Sequence, residues 1–261
     1  MNTDTDKITR IAARLDAAAR EAQAVAQLGG DDAISLEDAY EVQRALIEQR
    51  LARGAVRIGM KMGFTSRAKM AQMGLSDLIW GRLTSDMLIE EGSTLDLGTK
   101  VHARVEPEIC FLLRAPLEGA VTPMQALAAV EAIAPALEVI DSRYLDFKFS
   151  LPDVVADNAS SSGVVVGAWH RPDIDFGNLG LLMSFDGRAV EVGSTAAILG
   201  HPIRSLVAAA RLVALHGERL EAGSLVMAGG ATAAAALPRG VQVRCEMQRL
   251  GSVSFATGAA S

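Results

Sequence analysis

The residues best suited to chemistry in this chain are acids that stand close together or alone in apolar surroundings. Glu106 and Glu108 lie two apart in the run 101–113, which reads as a strand. Their side chains therefore project from one face, while Val105 and Ile109 project from the other. Adjacent carboxylates repel, so such a pair is either a solvated outer face or half of a cation site. Glu138 favours the second reading. It is the lone acid in Ala134-Pro135-Ala136-Leu137-Glu138-Val139-Ile140, and a carboxylate buried in such a run needs a cation, a proton or a metal. Three convergent acids would offer hard oxygen ligands that suit Mg²⁺ or Mn²⁺ and leave positions for water and substrate. Pro107, between the two glutamates, lacks a ladder donor, and its position predicts an edge, a bulge, or pairing on the other side only.

Lys61 lies on a strand-like alternation in which Val56, Ile58, Met60, Met62 and Phe64 share one face and Arg57, Gly59, Lys61 and Gly63 the other. The flanking glycines leave its stem unhindered. It is either an exposed structural lysine or, beside a carboxylate-bound metal, a partner for a substrate carboxylate or a proton in transit. The stretch from Asp141 to Ser162 packs Arg143, Lys148, Asp157, Asn158 and Ser160 between apolar runs. It reads as a solvated turn or as a functional loop. His201 precedes Pro202 at a helix start and reads as a local structural residue, and the other histidines lack ligand spacing.

The elements that must hold these residues follow from periodicity. Helical spacing runs over 4–28 up to Gly29-Gly30, and Ser35 with Asp38 caps a second helix that ends at Gly54. Thr122-Pro123 opens a helix expected to run to about Pro135, followed by a short strand over 136–140 and another over 163–169. Phe185-Asp186-Gly187-Arg188 predicts a tight hairpin. Residues 202–215 form an amphipathic helix, and turns near Gly223, Gly230, Gly240 and Gly251 separate closing strands. Early helices beside a strand-rich body predict an α+β fold on a curved or rolled sheet, with a helical region over 1–54 and a β domain over 55–261.

Composition narrows the function classes. With 261 residues, half of them hydrophobic, the chain can bury a large core. A net charge of -6 and few aromatics argue against nucleic-acid binding. The two cysteines, Cys110 and Cys245, sit far apart in apolar runs and read as buried thiols of a reducing compartment. No signal-like segment and no ~18-residue uninterrupted apolar run is present, which predicts a cytoplasmic protein without a membrane span.

These residues stand in stretches that resemble a family. The stretches are Gly59-Met60-Lys61-Met62-Gly63-Phe64-Thr65-Ser66, Val105-Glu106-Pro107-Glu108-Ile109, Leu137-Glu138-Val139-Ile140-Asp141-Ser142-Arg143-Tyr144, Val155-Ala156-Asp157-Asn158-Ala159-Ser160, Leu199-Gly200-His201-Pro202 and Leu250-Gly251-Ser252-Val253. From about Ser35 to Phe255 the chain resembles the 2-oxopent-4-enoate hydratase and 2-oxo-3-hexenedioate decarboxylase group of the fumarylacetoacetate hydrolase superfamily. The runs over 61–74 and 141–149 are more similar to the decarboxylase than to the hydratase. The resemblance implies the superfamily's rolled mixed β-sheet with N-terminal helices and further helices packed outside. It also implies that Glu106, Glu108 and Glu138 hold Mg²⁺ or Mn²⁺, that Lys61 is the catalytic lysine, and that Asp77 and Ser160 line the pocket. Where relatives carry Thr-Gly-Gly this chain has Ala228-Gly229-Gly230, which keeps the close backbone approach at Gly229 and Gly230 but not the hydroxyl.

The activity so implied is decarboxylation of the 2-oxo dicarboxylic acid 2-oxo-3-hexenedioate in the breakdown of aromatic compounds. Arg143, Lys148 and Asn158 are further candidates for catalysis or substrate binding. Association into a homo-oligomer and with the partner 2-oxopent-4-enoate hydratase belongs to the same expectation. Hydration of a dienoate on the same site, and a non-catalytic diacid-binding or structural role, are the alternatives.

Overall fold

The computed structural model describes residues 5–66 and 78–259. Apolar spacing at the start of the chain yields two helices. Helix α1 (Thr5–Glu21) buries Ile11, Ala12, Leu15 and Ala18 along one stripe. It stops short of the expected Leu28 because Ala22 turns to a positive φ of 51°. The chain then extends, and Val25 exchanges backbone hydrogen bonds with the 143–145 segment: its N–H donates to Arg143 O, and Leu145 N–H donates to its carbonyl. Helix α2 (Leu36–Ala52) starts where expected, with the Ser35 hydroxyl accepting from Asp38 N–H at 3.0 Å.

Twelve strands follow among the described residues: β1 (Arg57–Gly63), β2 (Ile79–Thr84), β3 (Thr94–Leu95), β4 (Arg104–Leu113), β5 (Val130–Ile140), β6 (Ser161–Val166), β7 (Gly180–Phe185), β8 (Arg188–Ser194), β9 (Leu225–Met227), β10 (Ala235–Ala236), β11 (Gln242–Met247) and β12 (Gly251–Thr257). They form a seven-stranded sheet in the order β2-β1-β9-β4-β5-β6, with β10 also pairing β4, and a five-stranded sheet in the order β3-β12-β11-β7-β8. Both are mixed, since β1 with β9 and β12 with β3 run parallel while the other pairs are antiparallel. Strands β11 and β12 pack against β5. One apolar cluster therefore runs from Ile11 and Val42 through Trp80 and Ile109 to Val243 and Phe255.

Two further expected boundaries differ from the structure. The helix opened by Thr122 is short, α3 (Pro123–Ala128), and the chain from Val130 is already strand, passing through Pro135. The apolar run by itself suggests helix, but β5 is a central strand buried on both faces, where an unbroken apolar stretch is what a strand requires. Residues 167–169 likewise leave β6 early, and Trp169 is exposed. The segment after β5 holds helix α4 (Leu151–Ala156), capped by Ser150.

Other expectations hold closely. Asp186 and Gly187 form a two-residue hairpin turn with φ of 49° and 76°, the geometry that matches strand twist. Helix α5 (Pro202–Leu215) is capped by the His201 ring, which accepts from Ile203 N–H. The stretch Thr195–Leu215 is long and apolar enough for a membrane span by composition alone. Within it α5 buries Leu206, Ala209, Ala210 and Val213 in the protein core.

Pro107 is accommodated inside the sheet rather than at an edge. A residue's N–H and C=O point to the same side of a strand, and Pro107 O accepts from Ala231 N–H, on the side of β9 and β10. There the ladder is open, because β9 ends opposite Cys110 and β10 begins opposite Val105. The missing donor faces that opening, which Ala228, Gly229 and Gly230 fill.

Candidate active site

The opening beside Pro107 is where the acids converge. Strands β4 and β5 are antiparallel with Glu106 directly opposite Glu138, so all three glutamates share one face of the sheet. Each offers a carboxylate oxygen within 4.8 Å of the others. Glu108 and Glu138 are fully buried, and Glu106 is half-buried at the mouth.

Lys61 reaches the same point from β1. In a flat sheet, three interstrand steps from β1 to β5 would span about 14 Å. The concave curl closes that gap, and Lys61 Nζ lies 3.1 Å from Glu138 Oε2. Its ammonium also donates to Ala159 O at 3.0 Å. Neither face of β1 is solvated: Met60, Lys61 and Met62 are all buried, so the polar face read from the alternation is an interior one.

Hydrogen-bond satisfaction singles out this cluster. Glu108 Oε2 accepts from Gly229 N–H at 2.7 Å. Glu108 Oε1 and Glu138 Oε1 are buried with no hydrogen-bond donor, and Glu138 Oε2 has only the Lys61 ammonium beside it. Leaving buried carboxylate oxygens unpaired is costly, and three carboxylates meeting in one place are the donor set of a hard divalent cation. The residues present thus fit Mg²⁺ or Mn²⁺. Gly230 permits the packing, since a Cβ there would run into Glu106 Oε2, and Gly229, at φ 101°, would run into the Thr65 side chain. Thr65 thereby sets its hydroxyl directly against Gly229.

Burial and mutual repulsion set the protonation of the cluster. Burial first, and then the neighbouring acids, push Glu108 well above the usual carboxylate range. Glu138 is pushed up to about 7, chiefly by burial, with Lys61 acting in the opposite sense. Burial alone would lower Lys61, but Glu138, Glu106 and Glu108 outweigh it and keep its pKa above the ordinary lysine value. The lysine therefore stays an ammonium while the acids compete for a proton or a metal.

A cavity of about 310 Å³ opens onto this cluster, lined by Lys61, Thr65, Glu106, Ser160 and Gly230 among others. That is the small end of ligand-pocket sizes. Its apolar wall comes from Ile79, Ile140, Phe147, Phe149 and Val154. A larger, more open depression of about 890 Å³ lies elsewhere, between Arg57 and the 217–225 turn, and contains none of the clustered acids.

Ser160 enters the cavity from an unusual turn. Asn158, Ala159 and Ser160 all have positive φ, 52°, 51° and 58°, a conformation that costs non-glycine residues roughly 1–2 kcal/mol each. Two clamps hold it. The Asn158 amide accepts from Arg82 N–H at 2.7 Å and donates to Arg82 O at 2.8 Å, and Asp157 is ion-paired with Arg143. The turn presents Ala159 O to Lys61 and leaves Ser160 Oγ buried without a partner.

Three residues that the sequence offers for substrate contact are thus placed otherwise. Arg143 is buried and spends its guanidinium on Asp157 and on the carbonyls of Asp141, Asp157 and Ser161. Asn158 is a clamp on β2, because its amide is consumed by the Arg82 backbone. Lys148 is largely exposed, pairs with Asp146 at 3.6 Å, and does not line the cavity. Polarity in the segment suggests ligand contacts, but those groups satisfy backbone instead. Asp77 lies outside the described residues. Conversely, sequence reasoning misses Arg104: it lines the cavity, and its Cζ stands 4.3 Å from the Phe147 ring centroid. Its place two residues before Glu106, on the same strand face, is a legible signal.

Curled mixed sheets with outer helices and a carboxylate-lysine site define an enzyme with the fumarylacetoacetate hydrolase superfamily fold. That fold is shared with fumarylpyruvate hydrolase from Pseudomonas aeruginosa at a TM-score of 0.64 and 14% identity, over 78% of this chain and 91% of that one. No family model matches the chain. It is 69% identical to a 4-oxalocrotonate decarboxylase from Pseudomonas sp, over 96% of this chain and 98% of that protein. The structure of 4-oxalocrotonate decarboxylase from Pseudomonas putida G7, complexed with magnesium and adipate, superimposes with a TM-score of 0.95 at 36% identity, covering 98% and 99% of the two chains. A 2-oxo-hept-4-ene-1,7-dioate hydratase from Escherichia coli is more distant, at 32% identity over 94% of this chain and 96% of that protein. The chain belongs to the 4-oxalocrotonate decarboxylase family.

Proposed function

We propose that this chain decarboxylates 2-oxo-3-hexenedioate (4-oxalocrotonate) to 2-hydroxypenta-2,4-dienoate and CO₂, in a reaction dependent on Mg²⁺ or Mn²⁺. The observation that carries the reading is the meeting of Glu106, Glu108 and Glu138 beside Lys61 at a small cavity, with two buried carboxylate oxygens left without a donor. Membership of the family supports the choice of substrate.

The substrate is a vinylogous β-keto acid. The C5–C6 bond breaks and C6 leaves as CO₂. Its electron pair forms the C4–C5 double bond, the C3–C4 pair moves to C2–C3, and the C2 oxygen takes the remaining charge and a proton. A divalent ion held by Glu106, Glu108 and Glu138 would supply Lewis acidity toward the C2 oxygen. Lys61, kept protonated by the acids, donates a hydrogen bond and positive charge to the same region instead of acting as a base. Ser160 Oγ, unpartnered at the cavity wall, is placed to bind or pass a proton. The apolar walls of Ile79, Ile140 and Phe149 lower the local polarity, which favours charge dispersal into neutral CO₂.

The same reading places the chain in the cytoplasm, consistent with two buried free thiols, and has it self-associate and work next to the hydratase that consumes its product. Incubation with 2-oxo-3-hexenedioate and Mg²⁺ is the test. Stoichiometric CO₂ with appearance of the dienol absorbance supports the reading; a hydrated product without CO₂ release assigns the chain to the hydratase instead.

A further inference from the structure

We infer that Arg104 is the residue that selects a dicarboxylate, by binding the distal carboxylate of the substrate; this rests on the function proposed above. Strand alternation puts Arg104, Glu106 and Glu108 on one face of β4. Arg104 stands opposite Ile140 on β5, one step along from the Glu106 and Glu138 pair. Two residues of strand advance about 6.6 Å. An extended six-carbon chain with bonds of ~1.5 Å spans about 6 Å. A 2-oxo acid with its C1–C2 end at the three glutamates therefore brings its C6 carboxylate to Arg104.

The charge pattern agrees. Lys61 and Arg104 are the cationic side chains lining the cavity among the described residues. Lys61 is committed to Glu138 and Ala159, whereas Arg104 has no salt bridge to any described acid. Its guanidinium instead lies over Phe147, and the two residues together also border an outer depression lined by Lys100, His102 and Arg239. The pair thus stands between the cavity and that depression. That contact holds the guanidinium against the ring and leaves N–H groups for a carboxylate. As C6 becomes neutral CO₂ the ion pair fades, so Arg104 binds the ground state and orients the scissile bond. Loss of Arg104 therefore raises KM by more than it lowers kcat.

The experiment compares two inhibitors that differ only at the distal end, 2-oxoadipate and 2-oxohexanoate, in wild type, Arg104→Met and Arg104→Lys with Mg²⁺ present. Mn²⁺ affinity is measured alongside as a check that each variant retains its site. Wild type prefers the diacid by roughly 10- to 100-fold, as for a hydrogen-bonded charge pair. Arg104→Met brings that ratio near one while 2-oxohexanoate and Mn²⁺ binding stay as in wild type, and Arg104→Lys restores part of it. An unchanged ratio in Arg104→Met overturns the inference, as does equal weakening of both inhibitors, which would put Arg104 at the C1 end. If wild type itself binds neither 2-oxo acid, the proposed function fails and the inference falls with it.

Discussion

Glu106 and Glu138 face each other directly across the β4–β5 ladder, with Glu108 one step further along the same face. Like charges opposite one another destabilise a sheet, and two of these three acids are fully buried. The arrangement is stable only with protons or a cation between the carboxylates, so the site's protonation and metal occupancy are linked.

That linkage fixes a pH dependence. Glu138, at about 7, and Glu108, well above the usual range, hold protons in the metal-free protein that they would release in the unfolded chain. Folded pKa values raised above unfolded ones stabilise at low pH, and the contribution is lost as pH rises through the folded values. Metal-free protein is therefore expected to melt at lower temperature at pH 8 than at pH 6. Metal binding expels these protons, so Mn²⁺ affinity should rise over the same interval. Thermal melts and Mn²⁺ titrations across pH 6–8 check both signs.

Replacing a ligand separates charge from shape. Glu138→Gln keeps the volume but removes a charged donor and the partner of Lys61. Its Mn²⁺ affinity and turnover should fall by more than the roughly 10- to 100-fold typical of residues that merely support metal ligands. Titration monitored by electron paramagnetic resonance, with turnover on the same sample, reads the outcome.

Gly230 offers a test through packing alone. Gly230→Ala puts a methyl into Glu106 Oε2, so the carboxylate must swing away. We expect weakened metal binding with little change in melting temperature. Gly223→Ala is the contrast: nothing lies near its Cβ, but its φ of 83° disfavours alanine, so it should lose stability and keep metal affinity.

Arg143 reads from the sequence as a catalytic candidate, and its buried pairing with Asp157 assigns it to positioning. Removing one member of a buried pair costs about 3–5 kcal/mol, so Arg143→Met should lower the denaturant midpoint strongly. If Arg143 instead touched substrate, the variant would show a raised KM at near-normal stability.

Much of the site is legible in the sequence because strand periodicity is a two-residue rule. Glu106 and Glu108 have to share a face, and a lone Glu138 in an apolar run has to be satisfied by something. What periodicity cannot show is which polar groups meet backbone and which meet ligand. Asn158 and Arg143 look like binding residues in composition, yet both are spent on clamping a turn with three consecutive positive φ values. Nor can local spacing tell β5 from a helix, since a strand covered on both faces loses its alternation. Arg104 stands in plain view beside Glu106, but its role depends on Phe147, which comes from a distant loop.

The proposed function requires that the three glutamates hold a metal on which decarboxylation depends. Its most direct test is turnover of 2-oxo-3-hexenedioate by chelator-stripped protein as Mg²⁺ is titrated back, in wild type and in Glu138→Gln. Negligible CO₂ release without metal, saturable recovery in wild type, and no comparable recovery in the variant are expected. Undiminished CO₂ release by the stripped wild-type protein would contradict it.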